Sequence, residues 1–179
     1  VTPSAASSVF LVPDAGALIK LAYADALDLL HRPGWPVRMV DMRWHEVTRN
    51  ATPTSEKIAQ WVALHGVEII STRTYAHHQA ALLEATAKPR QSNLGEFAIQ
   101  EAMHDMALTQ PDTTGVFLFE DHKIARASAS FLVPDNCRKI SIRAWLLFLE
   151  GKGWIASAAQ IERAAIANGR NFSRLRFPP

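Results

Sequence analysis

The sequence predicts an α/β fold with three layers, α/β/α, built on a mostly parallel sheet of four or five strands. Short apolar runs of strand length alternate along the chain with stretches that repeat apolar residues at helical spacing, and this alternation is typical of βα units. The chain shows no internal repeat and no linker long enough to divide it. We therefore expect residues 1–179 to form one domain, with a loose tail at 1–8 and a basic tail at 170–179.

The composition is that of an ordinary globular domain. Apolar residues make up 48% and charged residues 20%, and no apolar run approaches the roughly 20 residues that cross a bilayer. Residues 1–8 lack the basic and apolar regions of a secretory signal. The single cysteine, Cys137, cannot form an intramolecular disulfide, which suits a reducing cytoplasm. The net charge of +2 is too small to indicate nucleic-acid binding by itself.

The first predicted βα unit places an acid between its strand and its helix. Residues 9–12 form an apolar run that ends at Pro13, and residues 15–22 carry apolar side chains at helical spacing. Asp14 lies between them, where ligands bind beyond the carboxyl ends of parallel strands. Asp is also a favoured N-cap, and Asp14 taken alone is better explained as a cap; the interpretation as a ligand depends on other acids converging on the same edge.

The remaining elements continue the alternation. Further strands are predicted at residues 37–40, 67–70, 116–119 and 139–142. Helical segments are predicted at residues 25–31, 42–50, 55–65, 74–85, 93–108, 122–129, 143–150 and 158–167, and a polar loop at 86–92. Gly66 is expected to cap a helix C-terminus, and Ser157 with Gln160 is expected to form a capping box.

Four acids lie close to the ends of the predicted strands: Asp14, Glu46, Glu96 and Asp121. Asp121 could cap the helix that follows it, and Glu96 stands where a capping-box acid would stand. Glu46 is different, because it lies in the second turn of its helix, beyond capping range, and borders the buried face. A carboxylate in that place needs a partner.

If these acids meet at one edge of the sheet, their mutual repulsion has to be relieved. Two carboxylates about 4 Å apart repel by roughly 4 kcal/mol at an effective dielectric of 20. Such a site must protonate one acid or bind a cation, and oxygen ligands suit Mg²⁺ or Mn²⁺. A bound ion of this kind would activate water and neutralise charge on a phosphodiester.

The order and spacing of the four acids carry a family resemblance over residues 9 to about 130. The matching segments are Val12-Pro-Asp14-Ala-Gly, Trp44-His-Glu46-Val, Asn93-Leu-Gly95-Glu96 and Phe119-Glu-Asp121-His. With these segments the sequence resembles the PIN-domain ribonucleases, and most nearly the VapC-like toxins of bacterial toxin–antitoxin pairs. The closing stretch 140–155, which ends in Gly-x-Gly-Trp-Ile, is similar to the end of some PIN subfamilies.

The resemblance implies a PIN-like fold and a metal-dependent endoribonuclease. It implies that Asp14, Glu46, Glu96 and Asp121 hold Mg²⁺ or Mn²⁺ and that one of them orients the attacking water. It also implies a cytoplasmic toxin restrained by an antitoxin protein. Many relatives carry Ser or Thr two residues before the fourth acid, where this chain has Phe119, while Glu120 adds a carboxylate nearby.

Cations near the four acids are the predicted RNA contacts. They are Lys20, Arg43, Arg49, Arg90, Lys123 and Arg126. Phosphate neutralisation supplies most non-specific affinity for nucleic acid, but each of these residues would equally serve as an ordinary solvated side chain. The C-terminal tail adds arginines interleaved with Phe172 and Phe177, a pattern that can track single-stranded RNA or mark a frayed terminus.

Other chemistries have weaker support. His77 and His78 are adjacent, so on a helix they point about 100° apart and joint zinc ligation is not expected. His122 could meet a phosphate or lie on the surface. Cys137 has no evident histidine partner and is expected to be inert.

Two further interpretations concern partners. Trp35 and Trp44 are expected to pack in the core, with a homodimer or antitoxin interface as the alternative. The rival function is a catalytically silent PIN-fold module that binds RNA or a partner protein.

Overall fold

The computed structural model describes residues 8–84, 93–120 and 133–170. In these ranges the strands are β1 (Ser8–Pro13), β2 (Arg38–Val40), β3 (Glu68–Ile70), β4 (Thr113–Phe119) and β5 (Cys137–Ser141). The α-helices are α1 (Ala15–Tyr23), α2 (Asp41–Thr48), α3 (Pro53–His65), α4 (Arg73–Glu84), α5 (Leu94–Thr109), α6 (Ile142–Gly151) and α7 (Ala158–Ala167), with a 3₁₀ helix at Leu27–His31. The helix predicted at 122–129 and the loop predicted at 86–92 lie outside the described residues.

Every strand pair is parallel, as the sequence predicts. β4 lies between β1 and β5, and β2 pairs with β3. A single parallel bridge between Leu11 and Val37 connects the two groups, and the Leu11 amide donates to the Pro36 carbonyl at 2.9 Å. The strands therefore follow the order β3-β2-β1-β4-β5, although the regular hydrogen bonding divides them into three and two.

Alternate residues of the central strands enter different cores, and this defines the three layers. Leu11 of β1 and Leu118 of β4 pack with α1, α3, α6 and α7 on one face. Phe10 and Phe117, on the same two strands, pack with α5 on the other face. Strands that bury both faces read as continuous apolar runs. The three-layer α/β/α arrangement predicted from the sequence is thus observed.

Local chemistry explains where the helices begin and end. Gly66 ends α3 with a positive φ of 59°, and Ser157 caps α7 by accepting from the Gln160 amide at 3.3 Å. The predicted segment 25–31 is partly wrong, because α1 stops at Tyr23 and the chain resumes as a 3₁₀ helix after Asp25, whose φ is 52°.

None of the helices within residues 8–84, 93–120 and 133–170 is both long and apolar enough to cross a membrane.

Candidate functional site

Asp14 lies fully buried where β1 passes into α1. Its Oδ1 accepts from the Ala17 amide at 2.8 Å, so Asp14 is the N-cap of α1. Its own amide donates to the Leu118 carbonyl of the neighbouring strand at 2.8 Å. The two interpretations left open by the sequence are therefore compatible, because the capping residue also stands at the carboxyl edge of the sheet.

Arg43 of α2 lies among the predicted acids. Its Nη1 is 2.5 Å from Glu46 Oε2, one helical turn further along α2. Its Nη2 is 3.3 Å from Glu96 Oε1, in the first turn of α5. Only 3% of the Arg43 side chain is exposed, so the structure buries a guanidinium between two carboxylates.

The charges around Arg43 are strong enough to override its burial. Burial alone lowers the pKa of the Arg43 guanidinium, since it disfavours the charged form. The negative charges of Glu46 and Asp14, the hydrogen bond to Glu46 and the negative charge of Glu96 together raise that pKa by more. The net pKa shift is upward, so Arg43 remains a cation and three acids share its field.

Gly95 makes this close packing possible. A Cβ at position 95 would overlap Nη1 of Arg43 and would lie 2.6 Å from Oε1 of Glu46. Asn93, at the N-cap position of α5, makes no side-chain cap hydrogen bond and has a φ of 66°. The capping box expected from Asn93 and Glu96 is therefore not formed. Glu96 pairs with Arg43 instead.

Glu120 lies at the same edge, directly after β4. Its carboxyl group packs over the backbone of α1, where a Cβ at Gly16 would lie 2.5 Å from Glu120 Oε2. The carboxylate forms an ion pair with Arg170, beyond α7. Of the four predicted acids, the structure brings together Asp14, Glu46 and Glu96, and Asp121 lies outside the described residues.

The predicted RNA-contacting cations have different fates. Lys20 is buried, and its Nζ is 3.9 Å from Glu162 Oε1. Arg43 is equally buried, whereas Arg49 is exposed at the end of α2. Arg90, Lys123 and Arg126 lie outside the described residues, and so does His122. Of the described cations in this set, only Arg49 lies at the surface.

The side chains weighed for other chemistries lie in unremarkable places. His77 is exposed and His78 is buried on α4, which matches their expected divergence. Cys137 is buried, and burial raises the pKa of its thiol to about 11, so the nucleophilic thiolate is disfavoured. Trp35 and Trp44 pack half-buried against the core that contains α1 and α3.

The role of Asp41 was missed by sequence reasoning. Asp41 is the first residue of α2, and Val40 holds the N-cap position. The buried Asp41 carboxylate accepts from the Met42 amide and from the amide and hydroxyl of Thr72, each at 2.7 Å. An acid directly after a predicted strand was the available signal, since Asp14 has the same setting.

Glu101 was missed altogether. From α5 its carboxylate accepts from the amides of Arg73 and Thr74 at 2.7 and 3.0 Å, from the Thr74 hydroxyl at 2.8 Å and from Arg73 Nε at 3.0 Å. Burial raises the pKa of Glu101, but these hydrogen bonds lower it by more, and the resulting pKa is about 2. No local sequence pattern predicts this contact, because Arg73 and Thr74 lie 28 and 27 residues before Glu101 in the chain.

A divalent cation fits this edge by ligand chemistry, although not by the present arrangement of the acids. Carboxylate oxygens are the donors that Mg²⁺ and Mn²⁺ prefer. In residues 8–84, 93–120 and 133–170, however, no three His, Cys, Asp or Glu side chains are placed to hold one metal ion together. Glu46 and Glu96 face Arg43, so the guanidinium is now their counter-ion.

Comparison with other proteins identifies no family for this chain. The chain matches no family model, and no curated protein matches it.

Proposed function

We propose that this protein is a PIN-type, metal-dependent endoribonuclease that hydrolyses RNA phosphodiesters. The observation that carries the proposal is the convergence of Asp14, Glu46 and Glu96 on one buried guanidinium at the carboxyl edge of the sheet. These acids come from three separate parts of the chain, and ligands of parallel sheets bind at such an edge. Asp121 would complete the set, as the family resemblance implies.

The three described acids differ in burial, and this suggests different roles for them. Asp14 is fully buried and fixed as the cap of α1, so it forms the floor of the site. The side chains of Glu46 and Glu96 are 23% and 29% exposed, so they lie on the side that a substrate can approach. Mg²⁺ or Mn²⁺ held by these carboxylates would supply an activated water and neutralise charge on the phosphodiester.

RNA binding would draw on cations around the acids. Arg49 is exposed one turn beyond Glu46 and can meet a phosphate there. Arg90, Lys123 and Arg126 remain proposed contacts because they follow or precede the acids closely in sequence. We propose that the protein binds and cleaves RNA in the cytoplasm.

The toxin role rests on the family resemblance. We propose that expression of the protein alone arrests bacterial growth and that an antitoxin protein relieves the arrest. A short reading frame directly upstream, whose product copurifies with this chain and blocks RNA cleavage, would support this role. A chain that cleaves RNA without affecting growth would contradict it.

Asp14→Asn is the decisive variant for catalysis, because Asn keeps the Oδ1 acceptor and the helix cap while removing the charge. Asp112→Asn is the matched control, since Asp112 is exposed and precedes the amino end of β4. We expect wild type and Asp112→Asn to cleave RNA with Mg²⁺ or Mn²⁺ but not with EDTA. We expect Asp14→Asn to lose at least about 100-fold in cleavage rate while remaining folded by circular dichroism.

The same experiment tests the rival function. If Asp14→Asn cleaves as fast as Asp112→Asn, the proposed active site is wrong. If no variant cleaves RNA but all bind it in a filter assay, the chain is a silent RNA-binding module. Substrate panels that include DNA and phosphomonoesters separate a ribonuclease from a DNA nuclease or a phosphatase.

A further inference from the structure

We infer that Arg43 is a built-in counter-ion that competes with the divalent cation for Glu46 and Glu96. Metal binding at this edge would then require the guanidinium to move away from the two carboxylates. The inference rests on the proposed metal-binding role of these acids and concerns how that role is controlled. It makes the resting protein a weak metal binder.

The contacts of Arg43 engage one oxygen of each carboxylate. Nη1 approaches Glu46 Oε2 at 2.5 Å and Nη2 approaches Glu96 Oε1 at 3.3 Å. A divalent ion bound to either carboxylate would lie within a few ångströms of the guanidinium, where like charges in a buried site repel strongly. The two cations would therefore compete for the same pair of acids.

Arg43 is held mainly by charge, which makes exchange feasible. A guanidinium carries five N–H donors, and a purely structural buried arginine would be expected to satisfy most of them. Among the described residues, the buried Nε of Arg43 has no hydrogen-bond partner, and the buried Nη2 makes its ion pair with Glu96 without a hydrogen bond. Gly95 offers no side chain to hold the guanidinium in place. Replacing the attraction of the acids is therefore the main requirement for releasing Arg43.

Arg43→Gln tests the competition directly, with Arg38→Gln as the matched control. Arg38 pairs with Glu68 on the neighbouring strand at 2.8 Å, away from these acids. The measurement is calorimetric titration of the full chain with Mn²⁺, without RNA. We expect Arg43→Gln to bind Mn²⁺ about tenfold more tightly than wild type or more, and Arg38→Gln to match wild type. Equal or weaker binding by Arg43→Gln overturns the inference, as does the absence of Mn²⁺ binding in every variant.

A second measurement needs no destabilising variant. In wild-type protein labelled with ¹⁵N-arginine, the Nε–H resonance of Arg43 is identified by its loss in Arg43→Lys. We expect this resonance to shift as Mg²⁺ saturates the protein, while that of Arg38 stays in place. An unchanged Arg43 resonance at saturating Mg²⁺ contradicts the competition. Because neither measurement uses RNA, failure of the ribonuclease proposal appears separately, as metal binding without cleavage.

Discussion

Gly95 in the first turn of α5 lies so close to Arg43 of α2 that a side chain at position 95 would overlap the guanidinium. The site is therefore shaped by a missing side chain as much as by its charges. Because the Arg43 side chain is almost fully buried, its guanidinium could make room for a side chain at position 95 only by moving away from Glu46. This relationship makes the glycine a sensitive probe of how firmly the arginine is held.

We predict that Gly95→Ala lowers the free energy of unfolding by about 1–2 kcal/mol. Overpacking typically costs about 1–3 kcal/mol, and the better helix propensity of Ala returns up to about 1 kcal/mol. Gly151→Ala is the control, since nothing lies within 4 Å of a Cβ there, and it should be neutral or slightly stabilising. Urea denaturation measures both. A Gly95→Ala protein as stable as wild type would mean that Arg43 moves aside freely.

The carboxylate of Glu101 gives a second prediction, because it caps the N-terminus of α4 from another helix. Glu101→Gln should lower the free energy of unfolding at pH 7 by about 1–2 kcal/mol, the usual range for a lost cap. Asp105→Asn is the control. Its half-exposed carboxylate makes a long contact of 3.4 Å with Arg73 Nη2, so a change within about 0.5 kcal/mol is expected.

The stability that Glu101 contributes should depend on pH in a definite direction. The folded-state pKa of Glu101 is about 2, below the 4.5 of an unperturbed glutamate. Its stabilising effect is thus complete above pH 4.5, declines as the pH falls and is lost near pH 2. The stability difference between wild type and Glu101→Gln should follow this course in urea denaturation at stepped pH. A difference that stays constant from pH 6 to pH 2 would contradict the assigned hydrogen bonds.

The architecture was predictable because burial on both faces leaves a mark in the chain itself. Residues 9–12 and 116–119 are continuous apolar runs, and all of them except the half-buried Val9 are buried in β1 and β4. The division of the strands into three and two was not predictable. It depends on how far residues 36 and 37 run beside β1 before the chain turns away, and no periodicity encodes that length.

The candidate site was predictable in its acids and not in its cation. Asp14 and Glu46 stand out by their position relative to predicted strands. The Arg43–Glu46 pair is visible as an i,i+3 spacing on one helix, yet the sequence suggests a surface residue that meets RNA. Burial of Arg43 follows from the arrival of α5 with Gly95 and Glu96, which is a tertiary event. Charge patterns within one helix cannot report it.

A histidine pair at the C-terminal end of α3 gives a third prediction. The rings of His31 and His65 stack with centroids 4.3 Å apart, and His65 Nε2 is 3.1 Å from Asp28 Oδ1. Burial lowers the pKa of His31, the charge of His65 lowers it further, and Asp28 partly opposes both. The folded protein therefore takes up this proton less readily than the unfolded chain, so stability falls as the pH drops below about 6.5.

The substitution His31→Gln should reduce the loss of stability that occurs as the pH falls. Between pH 7.5 and pH 5, we expect wild type to lose more unfolding free energy than His31→Gln. His104→Gln, which removes an exposed histidine of α5, should keep the wild-type slope. Thermal or urea unfolding at both pH values measures the difference. If His31→Gln and His104→Gln show the same slope, His31 is not protonated less readily in the folded state.

The carboxylate of Glu162 gives a fourth prediction, because it is buried and faces two cations, the buried Lys20 and the partly exposed Arg143. Glu162 Oε1 is 3.9 Å from Lys20 Nζ, and Glu162 Oε2 is 3.9 Å from Arg143 Nη2. Removing the carboxylate takes an anion away from both cations, whereas removing Lys20 leaves the pair between Glu162 and Arg143. Breaking a buried pair from one side costs about 3–5 kcal/mol. We expect Glu162→Gln to approach that range and Lys20→Met to lose less than half as much.

The comparison also decides what Lys20 does. If it serves the fold, Lys20→Met should cleave RNA with an unchanged KM at a temperature where the variant is fully folded, because its Nζ is held within the protein by Glu162. If it contacts RNA, the KM should rise and its dependence on salt should weaken.

Urea denaturation of the double variant Lys20→Met/Glu162→Gln completes the cycle. Since the Lys20→Met change removes one of the two cations that face Glu162, the double variant should be more stable than the sum of the single effects predicts.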